Sequence, residues 1–180
     1  MRYGRIIGQE ITDVVGNLDQ EQLAALVEAI LAAKRVFVCG AGRSLLMMRA
    51  FAMRLMHMGV EAYVVGETIT PAIAPGDLLI AGSGSGRTQV TLVVVRTATA
   101  HGAATAVITA HGDSQIAEAC DLVVVVPLPA TDEAGSTSRQ PLGSLFEQSL
   151  LVIGDILVLE LMERLGVTNE QMWARHTNLE

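Results

Sequence analysis

Cysteine is scarce in this chain: Cys39 and Cys120 are the only two among 180 residues. Each stands at the edge of an apolar stretch and reads as a small buried side chain, in preference to a disulfide or a nucleophile. No Cys/His cluster has metal-ligand spacing, so no metal is expected. Cations are outnumbered, 12 Lys and Arg against 19 Asp and Glu, for a net charge of −7. With no basic patch, that balance argues against a nucleic-acid partner. A membrane span is missing as well: the most apolar segment, 145–165, is interrupted by Glu147, Asp155, Glu160 and Glu163. Arg2, Arg5, Glu10 and Asp13 occupy the place of an apolar signal region, so the expected location is the cytoplasm. Two nucleotide signatures are absent too. In GAGRSL, Leu45 stands where a dinucleotide fingerprint has its third glycine, GSGSGRT lacks that glycine as well, and no GxxxxGK[ST] occurs. A small phosphate ester is favoured over a nucleotide.

What is present is apolar and regularly punctuated. The chain is 51% hydrophobic and 17% charged, which fits one compact domain with a full core and large oligomer contacts. Apolar strands are expected at 35–39, 62–65, 78–81, 104–109 and 122–126. Between and around them lie helices at 2–16, from Asp19 to about Lys34, 44–58, from Thr88 to about His101, 114–119, from Ser144 onward, and 169–173. Five strands alternating with helices imply an α/β three-layer sandwich: a parallel sheet, right-handed crossovers and helices on both faces. Asp19 with Gln22, and Ser144 with Glu147, have capping-box spacing. Residues 127–143 hold three prolines and form a long polar loop, a candidate lid.

Two strand ends carry the chemistry. LLIAGSGSGRT, residues 78–88, reads as a buried strand, a tight turn and a helix start. Gly82, Gly84 and Gly86 permit positive φ and close approach to a ligand. The helix start offers unpaired N–H groups to an anion, with Ser83, Ser85 and Thr88 adding hydroxyls. VFVCGAGRS, residues 36–44, repeats the pattern, with Arg43 and Ser44 in the turn. Such turns often serve only tight geometry, but two on successive parallel strands open on the side where these folds hold ligands. Arg43 and Arg87 are placed to face an anion, and Arg49 and Arg54 to pair with carboxylates. Glu147, among Leu145, Phe146, Leu150 and Leu151, reads either as a general base with a pKa raised by desolvation or as the partner in a capping box. His57 reads as a core or helix-end residue, or as a catalyst. His176 sits in a polar tail that is solvated or reaches a neighbour's site. Met47, Met48, Met53, Met56 and Met58 fill core or interface.

GAGRS, RAFAMRLMHMG, YVVGETITPA, GDLLIAGSGSGRT, QPLGSLFEQ and the terminal RHTNLE together resemble the 6-phospho-3-hexuloisomerases, members of the sugar isomerase (SIS) fold. The likeness is strong over 35–180 and loose over the N-terminal helices. It implies a five-stranded sheet in flavodoxin-like order and one SIS domain over 1–180, with 1–34 packing on it or on a neighbouring subunit. The activity implied converts D-arabino-hex-3-ulose 6-phosphate to D-fructose 6-phosphate in ribulose monophosphate formaldehyde fixation, with no cofactor, in a homotetramer. Functional association with 3-hexulose-6-phosphate synthase follows from the same pathway. The carried-over site has Glu147 as proton acceptor, His57 and His176 as further catalytic candidates, and Arg43, Ser44 and the loop Ser83, Gly84, Ser85, Gly86, Arg87, Thr88 on the substrate. Leu45 and Arg87 depart from the family pattern, which expects glycine after GAGRS and glutamate in SGSGET. The alternatives are a non-catalytic sugar-phosphate sensor of the same fold and another aldose-ketose phosphate isomerase.

Overall fold

The computed structural model describes residues 2–130 and 138–179. Strands β1 (Val36–Gly40), β2 (Ala62–Val64), β3 (Leu78–Gly82), β4 (Ala104–Thr109) and β5 (Leu122–Val125) form a five-stranded parallel sheet ordered β2-β1-β3-β4-β5. The helices are α1 (Arg2–Val15), α2 (Gln20–Ala32), α3 (Gly42–Met58), α4 (Gln89–Ala100), α5 (Gln115–Glu118), α6 (Ser144–Leu165) and α7 (Asn169–Ala174).

The strand sequences are almost wholly apolar, Thr105 and Thr109 of β4 apart, because both faces are covered. Val36, Val38, Leu78, Ile80 and Ile108 point to one side and pack with Leu26, Leu55 and Leu157 of α2, α3 and α6. Phe37, Cys39, Leu79, Ala81 and Val107 point to the other, against Leu92 and Val95 of α4 and Ile116 of α5. Each large side chain removed from water in this way contributes roughly 1.5–3 kcal/mol. The α1 helix lies against α6.

Strand order reverses at the centre. From β1 the chain crosses through α3 to β2, while from β3 it crosses through α4 to β4 on the opposite side. The two crossovers diverge and leave a crevice above the carboxyl ends of β1 and β3, where Gly40 and Gly82 are in register. At the other end of the same strands, Arg35 and Asp77 are joined by two bonds, Nε to Oδ1 at 3.0 Å and Nη2 to Oδ2 at 2.6 Å. Asp77 is buried and also accepts the Ala74 N–H at 2.8 Å. The Arg35 guanidinium, against the opposing effect of burial, holds the Asp77 carboxyl below its ordinary range.

Several local expectations are corrected. Asp19 caps α2 through Glu21 and Gln22 N–H groups, but the Gln22 side chain does not close a capping box. Its Oε1 accepts the Val125 N–H of edge strand β5 at 2.8 Å instead. Ser144 is inside α6, not its cap: Gly143 precedes it, and no side chain caps this end. The α3 helix begins at Gly42, two residues early: after the extended Ala41, Gly42 turns the chain in the left-handed region at φ +56. Arg54 pairs with no carboxylate among the described residues; its Nη1 lies 3.3 Å from His57 Nδ1, whereas Arg49 does pair with Glu67 at 2.7 Å. Both cysteines are free, and burial pushes each thiol up to about 12. Residues 131–137 of the expected loop lie outside the described residues. Among the described residues no helix is long and apolar enough to cross a membrane.

Candidate active site

Three helices begin around the crevice, and none is closed by a side chain. Ala41 before α3, Thr88 before α4 and Gly143 before α6 make no side-chain cap bond. Elsewhere in the chain, side chains do this work: Asp19 for α2, Ser114 for α5 and Thr168 for α7. The first N–H groups of a helix have no intrahelical acceptor, and they carry the positive end of its dipole. Left uncapped beside one crevice, they form a ready cradle for an anionic group.

The turn after β3 is built by steric need more than by backbone torsion. Of its three glycines only Gly86 has positive φ, at +62°. A Cβ there would collide with Ser114 Oγ, while the Gly86 carbonyl accepts the Ile116 N–H at 3.0 Å. Gly82 and Gly84 are small for another reason. A Cβ on Gly82 would meet Met48 Cγ at 2.8 Å, and one on Gly84 would meet Phe146 Cδ1 at 2.9 Å. The expectation that all three supply positive φ is thus corrected: two make room for α3 and α6 beneath the turn. Ser83 is buried, with its Oγ 3.5 Å from Thr88 Oγ1, and Ser85 Oγ accepts the Arg87 N–H at 3.3 Å. The Arg87 side chain is exposed and, among the described residues, makes no hydrogen bond or ion pair. The same holds for the Ser44 hydroxyl, in the first turn of α3.

Arg43 ties the two sides of the crevice together. Its Nε lies 2.8 Å from Glu147 Oε2, and its Nη1 donates to Ser144 Oγ at 3.4 Å. The apolar setting expected for Glu147 is therefore incomplete. Leu145, Phe146 and Leu150 are buried, but the carboxylate itself points to a guanidinium. Arg43 stands 101 residues from Ser144 in sequence, so no local pattern announces this pairing.

The two histidines lie elsewhere in the chain. His57 is buried at the last turn of α3, fourteen residues from Arg43, or about 21 Å along the helix. Its ring stacks on His176, with centroids 5.2 Å apart, and His176 packs in turn against Trp173 at 5.1 Å. Burial, then the charges of Arg54 and His176, push the His57 pKa below its ordinary 6.5. Arginine is only a donor, so His57 Nδ1 accepts from Arg54 and the ring proton sits on Nε2. The structure thus joins Arg43, Ser44, the 83–88 turn, Ser144 and Glu147 at one end, and His57 with His176 at the other. His101 and His111 are exposed, as expected.

Comparison with known proteins agrees with this fold. A model of the SIS domain matches residues 29–152. The 3-hexulose-6-phosphate isomerase of Mycobacterium gastri is 44% identical over 176 residues, covering 97% of this chain and 88% of the relative. That of Bacillus subtilis is 40% identical over 180 residues, covering 99% and 97%. A crystal structure of a Methanococcus jannaschii protein, from which a 3-hexulose-6-phosphate isomerase function was inferred, aligns with a TM-score of 0.86 and 33% identity, with 100% of each chain covered.

Proposed function

This chain belongs to the SIS domain family, and from that membership we propose that it is the isomerase converting D-arabino-hex-3-ulose 6-phosphate to D-fructose 6-phosphate in ribulose monophosphate formaldehyde fixation. Near-full-length identity to relatives of that name supports the substrate. The observation that carries the mechanism is a carboxylate, Glu147, set beside three uncapped helix starts at the sheet's reversal point.

The substrate phosphate lies in the cradle of Ser83, Gly84, Ser85, Gly86, Arg87 and Thr88, where helix N–H groups and hydroxyls suit a dianion. Arg87, with no other partner among the described residues, adds a positive charge there. The sugar then extends toward Ser44 and Glu147. Both substrate and product are ketoses, so one proton leaves C2 and one returns at C3. Glu147 takes the C2 proton; the C–H electron pair becomes the C2–C3 double bond, and the carbonyl pair moves to O3 as a cis-enediolate. The O2 proton shifts to O3, the O2 pair closes the new carbonyl, and C3 takes its proton from Glu147. A 3-ketose phosphorylated on O6 cannot form a furanose through its 5-hydroxyl, so no ring-opening acid is needed. Arg43 is the cation nearest the carboxylate and the developing oxyanion.

His57 and His176 enter this scheme only from a second copy, since within one chain they lie a helix length away. A homotetramer supplies such a copy, and the exposed Leu46, Met53, Met56 and Leu159 on α3 and α6 favour association. The chain acts as one SIS domain with its first two helices packed on it, in the cytoplasm. It receives its substrate from 3-hexulose-6-phosphate synthase.

The test is turnover of 3-hexulose 6-phosphate generated in place by a synthase, with fructose 6-phosphate read by a coupled assay. Wild type turns over, and folded Glu147→Gln loses at least about a hundredfold, the low end for a general base. A folded wild type that binds sugar phosphate without turning it over would establish a sensor instead.

A further inference from the structure

Glu10, on α1, lies outside the site and takes part in none of the steps above. Asp13 on the same helix is bonded within it, to Gln9 at 2.7 Å. Glu10 reaches across to the segment leading into α6. Its carboxylate accepts from Ser138 Oγ at 2.8 Å, from the Arg139 N–H at 2.8 Å and from Gln140 Nε2 at 2.9 Å. The Gln140 N–H closes the turn on Ser138 Oγ at 2.9 Å. Three consecutive residues are thus wound around one carboxylate of another helix. Burial works against the charge on Glu10, and these donors outweigh it, holding the carboxyl below its ordinary value.

The segment needs an anchor. Leu142 has φ +56, the only non-glycine positive φ among the described residues, and its side chain is wholly exposed. A left-handed leucine that buries nothing persists only where its flanks over-determine it. One flank is the start of α6, where the Ser144 N–H bonds Pro141 O at 3.2 Å and the Glu147 N–H bonds Gly143 O at 3.0 Å. The other flank is the Glu10 clamp. No side chain caps α6, so the clamp acts alongside the Arg43 contacts and the buried Leu145 and Phe146 in fixing where its first turn sits.

We propose that Glu10 is a positioning residue for the isomerisation: by clamping 138–140 it fixes the first turn of α6 and so the reach of the Glu147 carboxylate. The inference rests on Glu147 as the base. A proton abstraction tolerates little misplacement, and errors near 1 Å cost up to about a hundredfold.

The test compares wild type, Glu10→Ala, Gln140→Ala and the double variant in the synthase-coupled assay, with hydrogen exchange read by mass spectrometry on the full chain. Glu10→Ala is expected to lower kcat about tenfold with KM within about twofold, since the phosphate cradle is untouched. Exchange should rise over 138–143 and stay unchanged in β1 and β3. Gln140→Ala should fall in the same direction, and the double variant should lose no more than Glu10→Ala, as members of one clamp do. Unchanged kcat, or a loss matched by faster exchange throughout the sheet, overturns the proposal. A wild type that does not turn over this substrate removes the role of Glu147 itself and the proposal with it, which separates that failure from an intact wild type with an indifferent Glu10→Ala.

Discussion

The central strands β1 and β3 carry an arginine–carboxylate pair at each end, and the two pairs are built differently. Arg35–Asp77 is bidentate, its carboxylate is buried, and each partner has a further backbone bond. Arg43–Glu147 has one close contact, and its arginine side chain is 55% exposed. The first satisfies its groups and locks two strands in register. The second leaves oxygens and N–H groups facing an open crevice. The same contrast separates the capped helices α2, α5 and α7 from the uncapped α3, α4 and α6. At the Arg35 end the polar groups are paired off; around the proposed site they are left available.

Removing one partner of each pair in turn tests that contrast. The largest effect is on rate: Glu147→Gln should cost at least about a hundredfold in turnover while its thermal midpoint stays within about 2 °C of wild type. Asp77→Ala is the mirror image. It strands a guanidinium against buried surface and should lower the midpoint by about 10 °C, with turnover per folded molecule within about twofold. If Asp77→Ala slows turnover as much as Glu147→Gln does, the two ends are not separate in function. Arg43→Ala should sit between, with about a tenfold loss of turnover and little change in midpoint, because a half-exposed pair adds little stability. Arg43→Lys should recover part of the rate, since the charge returns without the planar fork.

The smallest effect concerns the opposite end of α3. His57 is depressed below its ordinary 6.5, first by burial and then by Arg54 and His176. Between its folded value and 6.5 the unfolded chain binds the extra proton, so stability is present above this window and lost as pH falls through it. Thermal midpoints taken from pH 7.5 downward should decline in that range, and His57→Gln should flatten the decline. Glu10 and Asp77, also depressed, act lower, below the ordinary carboxylate range. An identical decline in His57→Gln would assign the pH dependence elsewhere.

Much of the fold was legible because burial writes itself locally. Each parallel strand is a short, mainly apolar run, and β4 spans residues 104–109 in both sequence and structure. Gly59 ends α3 in the left-handed region as a stop signal should. The phosphate turn was legible as a turn, but its glycines answer to Met48 and Phe146, which come from distant helices. The spacing of Ser144 and Glu147 imitates a capping box, and only Arg43 across the crevice reveals where the carboxylate points. Arg35 reads only as the first residue of a strand, because its bond to Asp77 spans 42 positions. Glu10 carried no signal in sequence at all, since its donors come from the far side of the chain.

Gln22 shields an open edge of the sheet. An open sheet offers its outermost strand as a template on which another chain can continue the ladder. Here the amide of Gln22 occupies the Val125 N–H on one margin, and on the other margin β2 is three residues long. Neither margin gives a foreign strand a run to zip along. Any contact between copies is thereby left to the helix surfaces.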